Sequence, residues 1–212
     1  MGKNLIERLN EGPVLCAEGY LFAMERRGYL QAGAFVPEVV LEHPEVLSQL
    51  HREFIRSGSD VVQAFTYYGH REKLRIIGKE HLLEPLQKNA LQIAKDARDE
   101  FKNLDLMVCG DIANTNVWDP NDKKSNIECQ KMFEEQVQWA KEAGVDFIIA
   151  ETITWLGEMK IALKAIKDAG LIAVCNFSIK RDNKTRDDYT PGDACKILED
   201  NGADVVGLNC FR

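Results

Sequence analysis

Val205-Val206-Gly207-Leu208-Asn209-Cys210 reads as a short buried strand that stops at a polar pair. Two earlier stretches have the same grammar. Ser57-Gly58-Ser59-Asp60-Val61-Val62 runs on to Phe65-Thr66, and Ala143-Gly144-Val145-Asp146-Phe147-Ile148-Ile149 runs on to Glu151-Thr152. The last copy opens with Asn201-Gly202-Ala203-Asp204. Each copy is a helix end, a Gly stop, an Asp, an apolar strand and a polar residue where the strand ends. Repetition of this kind marks a β/α repeat architecture. In such folds the chemistry sits at the carboxyl ends of parallel strands, so Glu151 and Cys210 are expected on one rim.

Working outward, the remaining units follow in series. Residues 3–11 read as a short amphipathic helix. Pro13-Val14-Leu15-Cys16-Ala17 reads as the first strand, ending in Glu18-Gly19-Tyr20. A helix from about Pro44 to Ser57 carries Val46, Leu47, Leu50 and Phe54 on its apolar side. A long helical region over roughly 80–102 buries Leu82, Leu83, Leu86, Ala90, Ile93, Ala94 and Ala97. Leu106–Gly110 and Leu171–Cys175 are further strands, ending at Asp111 and Asn176. Helices are expected over about 126–143 and 156–169, and another opens at Thr190-Pro191. Six β/α units without a composition break predict one domain over 1–212, a (β/α)8 barrel truncated after strand six, with both sheet edges unpaired. An open doubly wound sheet is the alternative, but no G-x-G-x-x-G follows the first strand, which weakens a dinucleotide-binding reading.

The totals bound the function. The chain has 212 residues, 45% hydrophobic and 29% charged, an ordinary globular composition. A complete barrel of this type takes about 250 residues. The net charge of -7 and the lack of a Lys/Arg run argue against a nucleic-acid surface. No apolar run has membrane-spanning length, and the amino terminus lacks a signal-peptide core. Six cysteines without close pairing point to a reducing cytoplasm.

Cys210 could serve as a thiolate ligand or nucleophile, or simply be a packed strand-end cysteine. A zinc site needs three or four ligands, and His43, His51, His70 and His81 show no metal spacing, so Cys210 has no evident metal partner within the chain. Glu151, past an apolar strand, could bind a cationic group or act as a base; a rim salt bridge is the plain alternative. Glu18 is similar. Phe35, Tyr67 and Tyr68 could wall a site for a quaternary ammonium group, or pack helix against loop.

Leu21-Phe22-Ala23-Met24-Glu25-Arg26-Arg27-Gly28-Tyr29, Gln49–Phe54, Ala64-Phe65-Thr66-Tyr67-Tyr68, Ile149-Ala150-Glu151 and Gly207-Leu208-Asn209-Cys210 together resemble the homocysteine S-methyltransferase family, and within it the betaine-dependent members. The resemblance runs along the whole chain. It implies a (β/α)8 barrel that holds zinc through three cysteines, the metal making the homocysteine thiol a thiolate that attacks a donor methyl group. It implies that Cys210 is the first zinc cysteine, with two more expected beyond Arg212. It implies that Glu151 is catalytic and holds the amino-acid end of homocysteine, with Glu18, Gly19, Phe35, Tyr68 and Asn209 as further substrate-binding positions. Ala17-Glu18-Gly19 stands where the family carries Asp-Gly-Gly, Phe35 where betaine enzymes have Trp, and Thr152 where they have Tyr.

The expected function is therefore cytoplasmic, zinc-dependent methyl transfer to homocysteine in methionine biosynthesis, with betaine as donor. The expected partners are homocysteine and a small methyl donor, with no nucleic acid or membrane and a homo-oligomer at full length. The 212-residue chain is expected to be inactive alone. Two rivals stay open: a non-catalytic truncated paralogue or partner-binding fragment, told apart by metal content, and a zinc-free barrel using Glu151 as general base, told apart by activity after chelation.

Overall fold

The repeated Asp does the same work in all three copies. The Asp60 N–H donates to the Leu15 carbonyl (2.8 Å) while the Asp60 carboxylate accepts the Leu15 N–H (2.8 Å). Asp146 makes the same pair of bonds with Val108 (2.8 and 2.7 Å), and Asp204 with Ala173 (3.1 and 2.8 Å). Each Asp thus clamps the start of its own strand to the preceding extended segment and sets the register before the ladder begins. The glycine two residues earlier, at 58, 144 and 202, has a positive φ of 102°, 75° and 94°. A side chain would be strained there, which is why the helix-ending residue of the motif is Gly.

The computed structural model describes residues 2–17, 19–30, 38–67 and 69–210. In chain order the elements are α1 (Leu5–Leu9), α2 (Tyr20–Arg26), α3 (Val39–Glu42), α4 (Pro44–Arg56), β1 (Val61–Gln63), α5 (Arg71–Ile76), α6 (Leu83–Asp99), β2 (Met107–Ala113), α7 (Lys123–Ala143), β3 (Phe147–Ile153), α8 (Leu156–Asp168), β4 (Ile172–Phe177), α9 (Pro191–Asp200) and β5 (Val205–Leu208). The strands form one parallel sheet in sequence order, β1 to β5.

Five strands are present among the described residues rather than the six expected. Residues 13–17 make only one isolated parallel bridge, Cys16 to Val61. Pro13 has no N–H to give, and the Leu15 N–H is taken by the Asp60 carboxylate, which leaves little for a ladder. β2 and β3 run three residues further than expected, to Ala113 and Ile153, so Asp111 and Glu151 lie inside strands.

The chain divides into two compact units, residues 1–110 with 142–146, and residues 111–141 with 147–212. In the first, α4 buries the expected Leu47 and Leu50 together with His51 and Ile55, and leaves the expected Val46 and Phe54 half-buried at the edge of that face. The Tyr20 ring meets His51 and Phe54 edge-on, each at 5.0 Å. α6 buries the expected stripe from Leu83 to Ala97 with Leu91 and Gln87 added, while the expected Leu82 is half-buried in the turn before it; the Gln87 side-chain amide donates to the Gly69 carbonyl. In the second unit β3 is buried along its whole length. Met159, Ala162, Leu163 and Ile166 of α8 complete that core. No helix among the described residues is long and apolar enough to cross a membrane.

Candidate active site

The site builds up from the end of β3. Through Ala150 this strand pairs with β4 in register, Ala150 opposite Cys175. The register then shifts, and Ile153 lies opposite Phe177. One extra residue has been inserted on β3, a β-bulge at Glu151–Thr152. Thr152 sits at φ 58°, in the left-handed region. For a β-branched residue that backbone costs on the order of 1–2 kcal/mol, so neighbouring bonds must hold it.

Asn209 supplies those bonds. Its side-chain oxygen accepts the Thr152 N–H (2.9 Å), and its side-chain amide donates to Thr152 Oγ1 (2.9 Å) and to Glu151 Oε2 (2.5 Å). Its own N–H donates to the Phe177 carbonyl (2.9 Å), and Ser178 Oγ donates to the Cys210 carbonyl (2.6 Å). Three strand ends are thereby laced together. Glu151 is 8% exposed, while Cys210, the next residue after Asn209, is exposed.

The six thiols are not alike. Burial pushes Cys129 and Cys175 up to about 12, which keeps both protonated and unreactive at neutral pH. Cys210 is the exposed one. Among the described residues, however, no group of three His, Cys, Asp or Glu side chains could hold a metal ion. A zinc site takes three or more protein ligands, so the described residues do not fit the ion by themselves.

A second layer of the site was not apparent from sequence. Thr115, in the loop after β2, donates both its N–H (2.7 Å) and its hydroxyl (2.6 Å) to Glu158 Oε1. Burial drives the Glu158 carboxyl above its usual range, against the pull of these two bonds and of the Arg186 charge. The Asp187 carboxylate accepts the Leu156 and Gly157 N–H groups (3.1 and 3.2 Å), capping the start of α8. Trp118 lies against Trp155 at 5.1 Å, and the Arg186 guanidinium sits 5.9 Å from the Trp155 ring. The loops after β2, β3 and β4 are joined in this way. Only the Asn- and Asp-rich composition of 114–122 signalled a structured loop there.

Of the residues singled out in the sequence, Glu151 and Asn209 are joined by a hydrogen bond, and Cys210 follows Asn209 directly. Gly19 belongs to the other unit, where it precedes α2 with φ 82°. Glu18, Phe35 and Tyr68 lie outside the described residues. His51 and His70 are buried in the first unit, His51 against Tyr20.

Betaine–homocysteine S-methyltransferase 1 of Bos taurus is 35% identical over 213 residues, covering 98% of this chain and 51% of that protein. The Sus scrofa protein of the same name is also 35% identical, with 74% of its length covered. The chain thus spans about half the length of the bovine relative. The homocysteine methyltransferase MmuM of Escherichia coli, in its metallated form, superposes with a TM-score of 0.80 at 19% identity, over 96% of this chain and 76% of that one, which shows the shared fold. The Homocysteine S-methyltransferase family model matches residues 15–212, and with relatives this similar along nearly its whole length the chain belongs to that family.

Proposed function

We propose that this chain supplies the homocysteine-binding part of an enzyme that moves a methyl group from betaine to the homocysteine thiol, giving methionine. The observation that carries the reading is Glu151, a nearly buried acid near the end of β3, held by Asn209 beside the exposed Cys210. A carboxylate in this position can pair with a cation, and the ammonium of an amino acid is one. In the transfer the sulfur–carbon bond forms as the carbon–nitrogen bond breaks, and betaine's nitrogen leaves as a neutral amine with the electron pair. The thiol must have lost its proton first. The role of Glu151 is to fix the substrate's amino-acid end so that its sulfur can reach the donor carbon.

Betaine as donor is supported by the 35% identity to proteins of that name. Cys210 is the residue of this chain that the proposal would assign to a zinc site. A closed barrel, for which sequential parallel order is the required topology, belongs to the same proposal. So do the cytoplasmic setting and a homo-oligomeric assembly.

The test is calorimetric binding of L-homocysteine to the native chain and to Glu151→Ala. Loss of a buried charge's partner costs about 2–5 kcal/mol, so the variant should bind at least tenfold more weakly. Equal affinity of the two proteins would remove Glu151 from the site.

A further inference from the structure

We propose that Asn209 is a positioning residue: it holds the bulge at Thr152 in its left-handed form and thereby sets the Glu151 carboxylate, acting through β3 rather than by touching substrate. The proposal deepens the reading of Glu151 as the ammonium partner and rests on it for its functional consequence.

The bonding capacity of Asn209 is nearly spent. A side-chain amide has two N–H donors and one oxygen. Here the donors go to Glu151 Oε2 and Thr152 Oγ1, and the oxygen takes the Thr152 N–H. The orientation of the amide is decided by chemistry, because a flip would set an NH2 group against the Thr152 N–H. Little is left for a ligand. What Asn209 does hold is the strained point of β3, where Thr152 has φ 58° and the register with β4 shifts. Asn209 is itself anchored through its N–H to Phe177, so the clamp is referenced to β4. The acid of β3 and the residue next to Cys210 therefore cannot move independently.

The experiment compares the native chain with Asn209→Ala, Thr152→Gly and the double variant, using two readouts. Without ligand, the Thr152 carbonyl and α-carbon chemical shifts and the residue-152 amide exchange rate report the backbone. With L-homocysteine, calorimetry reports affinity. Asn209→Ala should shift Thr152 out of the left-handed signature and weaken binding by at least about tenfold. Glycine adopts positive φ without strain, so Thr152→Gly should stay within about threefold of native affinity, and the double variant should recover most of what Asn209→Ala loses. A retained left-handed signature in Asn209→Ala overturns the inference, as does a double variant no better than Asn209→Ala. If Asn209→Ala does not fold, recovery of folding in the double variant supports the clamp and its absence overturns it. Should the native chain bind no homocysteine, the functional reading falls, while the ligand-free shifts still decide the clamp.

Discussion

Gly157→Ala tests how tightly the loops around the site are packed, because two effects oppose each other there. Gly157 lies in the first turn of α8. A Cβ built on it would stand 2.4 Å from Trp118 Cζ2 and 2.7 Å from Cη2. Ordinary contact begins at 3.4 Å, so the indole must retreat by about 1 Å. It is not free to do so: Nε1 donates to Asn126 Oδ1 (2.8 Å), and the ring rests on Trp155. Overpacking of this kind costs about 1–3 kcal/mol, and breaking the indole bond adds about 1 kcal/mol. Alanine's advantage over glycine in a helix is at most about 1 kcal/mol, and less in a first turn. The clash wins, and the net loss should be about 1–3 kcal/mol. Urea unfolding measures it, and near-ultraviolet circular dichroism reports the Trp118–Trp155 geometry. With Trp118→Ala as background the obstacle is gone, so the same change should become neutral or stabilising. A gain of about 1 kcal/mol in the native background, with unchanged tryptophan dichroism, would refute the packing argument.

His51 is fully buried, with Nδ1 3.0 Å from the Tyr20 hydroxyl and Nε2 without a hydrogen-bond partner among the described residues. Burial, then the Arg52 charge, lowers it from 6.5 to about 3. Between these values the unfolded chain binds more protons, so stability should fall by about 1.4 kcal/mol per unit as pH drops below 6.5, and His51→Gln should flatten that slope; parallel pH profiles would contradict this. Asp204→Ala leaves the buried Ala173 N–H unpaired and breaks the Lys167 ion pair. It should cost about 1–3 kcal/mol and speed exchange of the Ala173 amide; unchanged exchange there would show that the Asp does not set the strand. With Cys210 as the only candidate cysteine exposed at the site, the 212-residue chain should not retain zinc after dialysis against a mild chelator, and stoichiometric metal would show ligands the described residues do not reveal.

Much of this protein is local, and the local part is legible. Gly at the helix stop, Asp before the strand and an apolar run are choices each residue makes within a few neighbours, so the order and type of α4, α6, α7, β3, β4 and β5 follow from periodicity. The placing of Glu151 on β3 and of Cys210 just past β5 follows from the same grammar, and the family follows from motifs spread along the chain. Other features depend on partners distant in sequence. Residues 13–17 have strand composition, but Pro13 and the Asp60 carboxylate decide that they bridge rather than pair. The bulge at Thr152 exists because Asn209, 57 residues later, offers one acceptor and two donors. Glu158 looks like a surface helix acid until Thr115, 43 residues earlier, is seen to satisfy it in the interior. Sequence by itself determined which residues could do chemistry and on which elements they ride. Tertiary structure alone decided how each is held, because hydrogen bonds between distant residues leave no period in the chain.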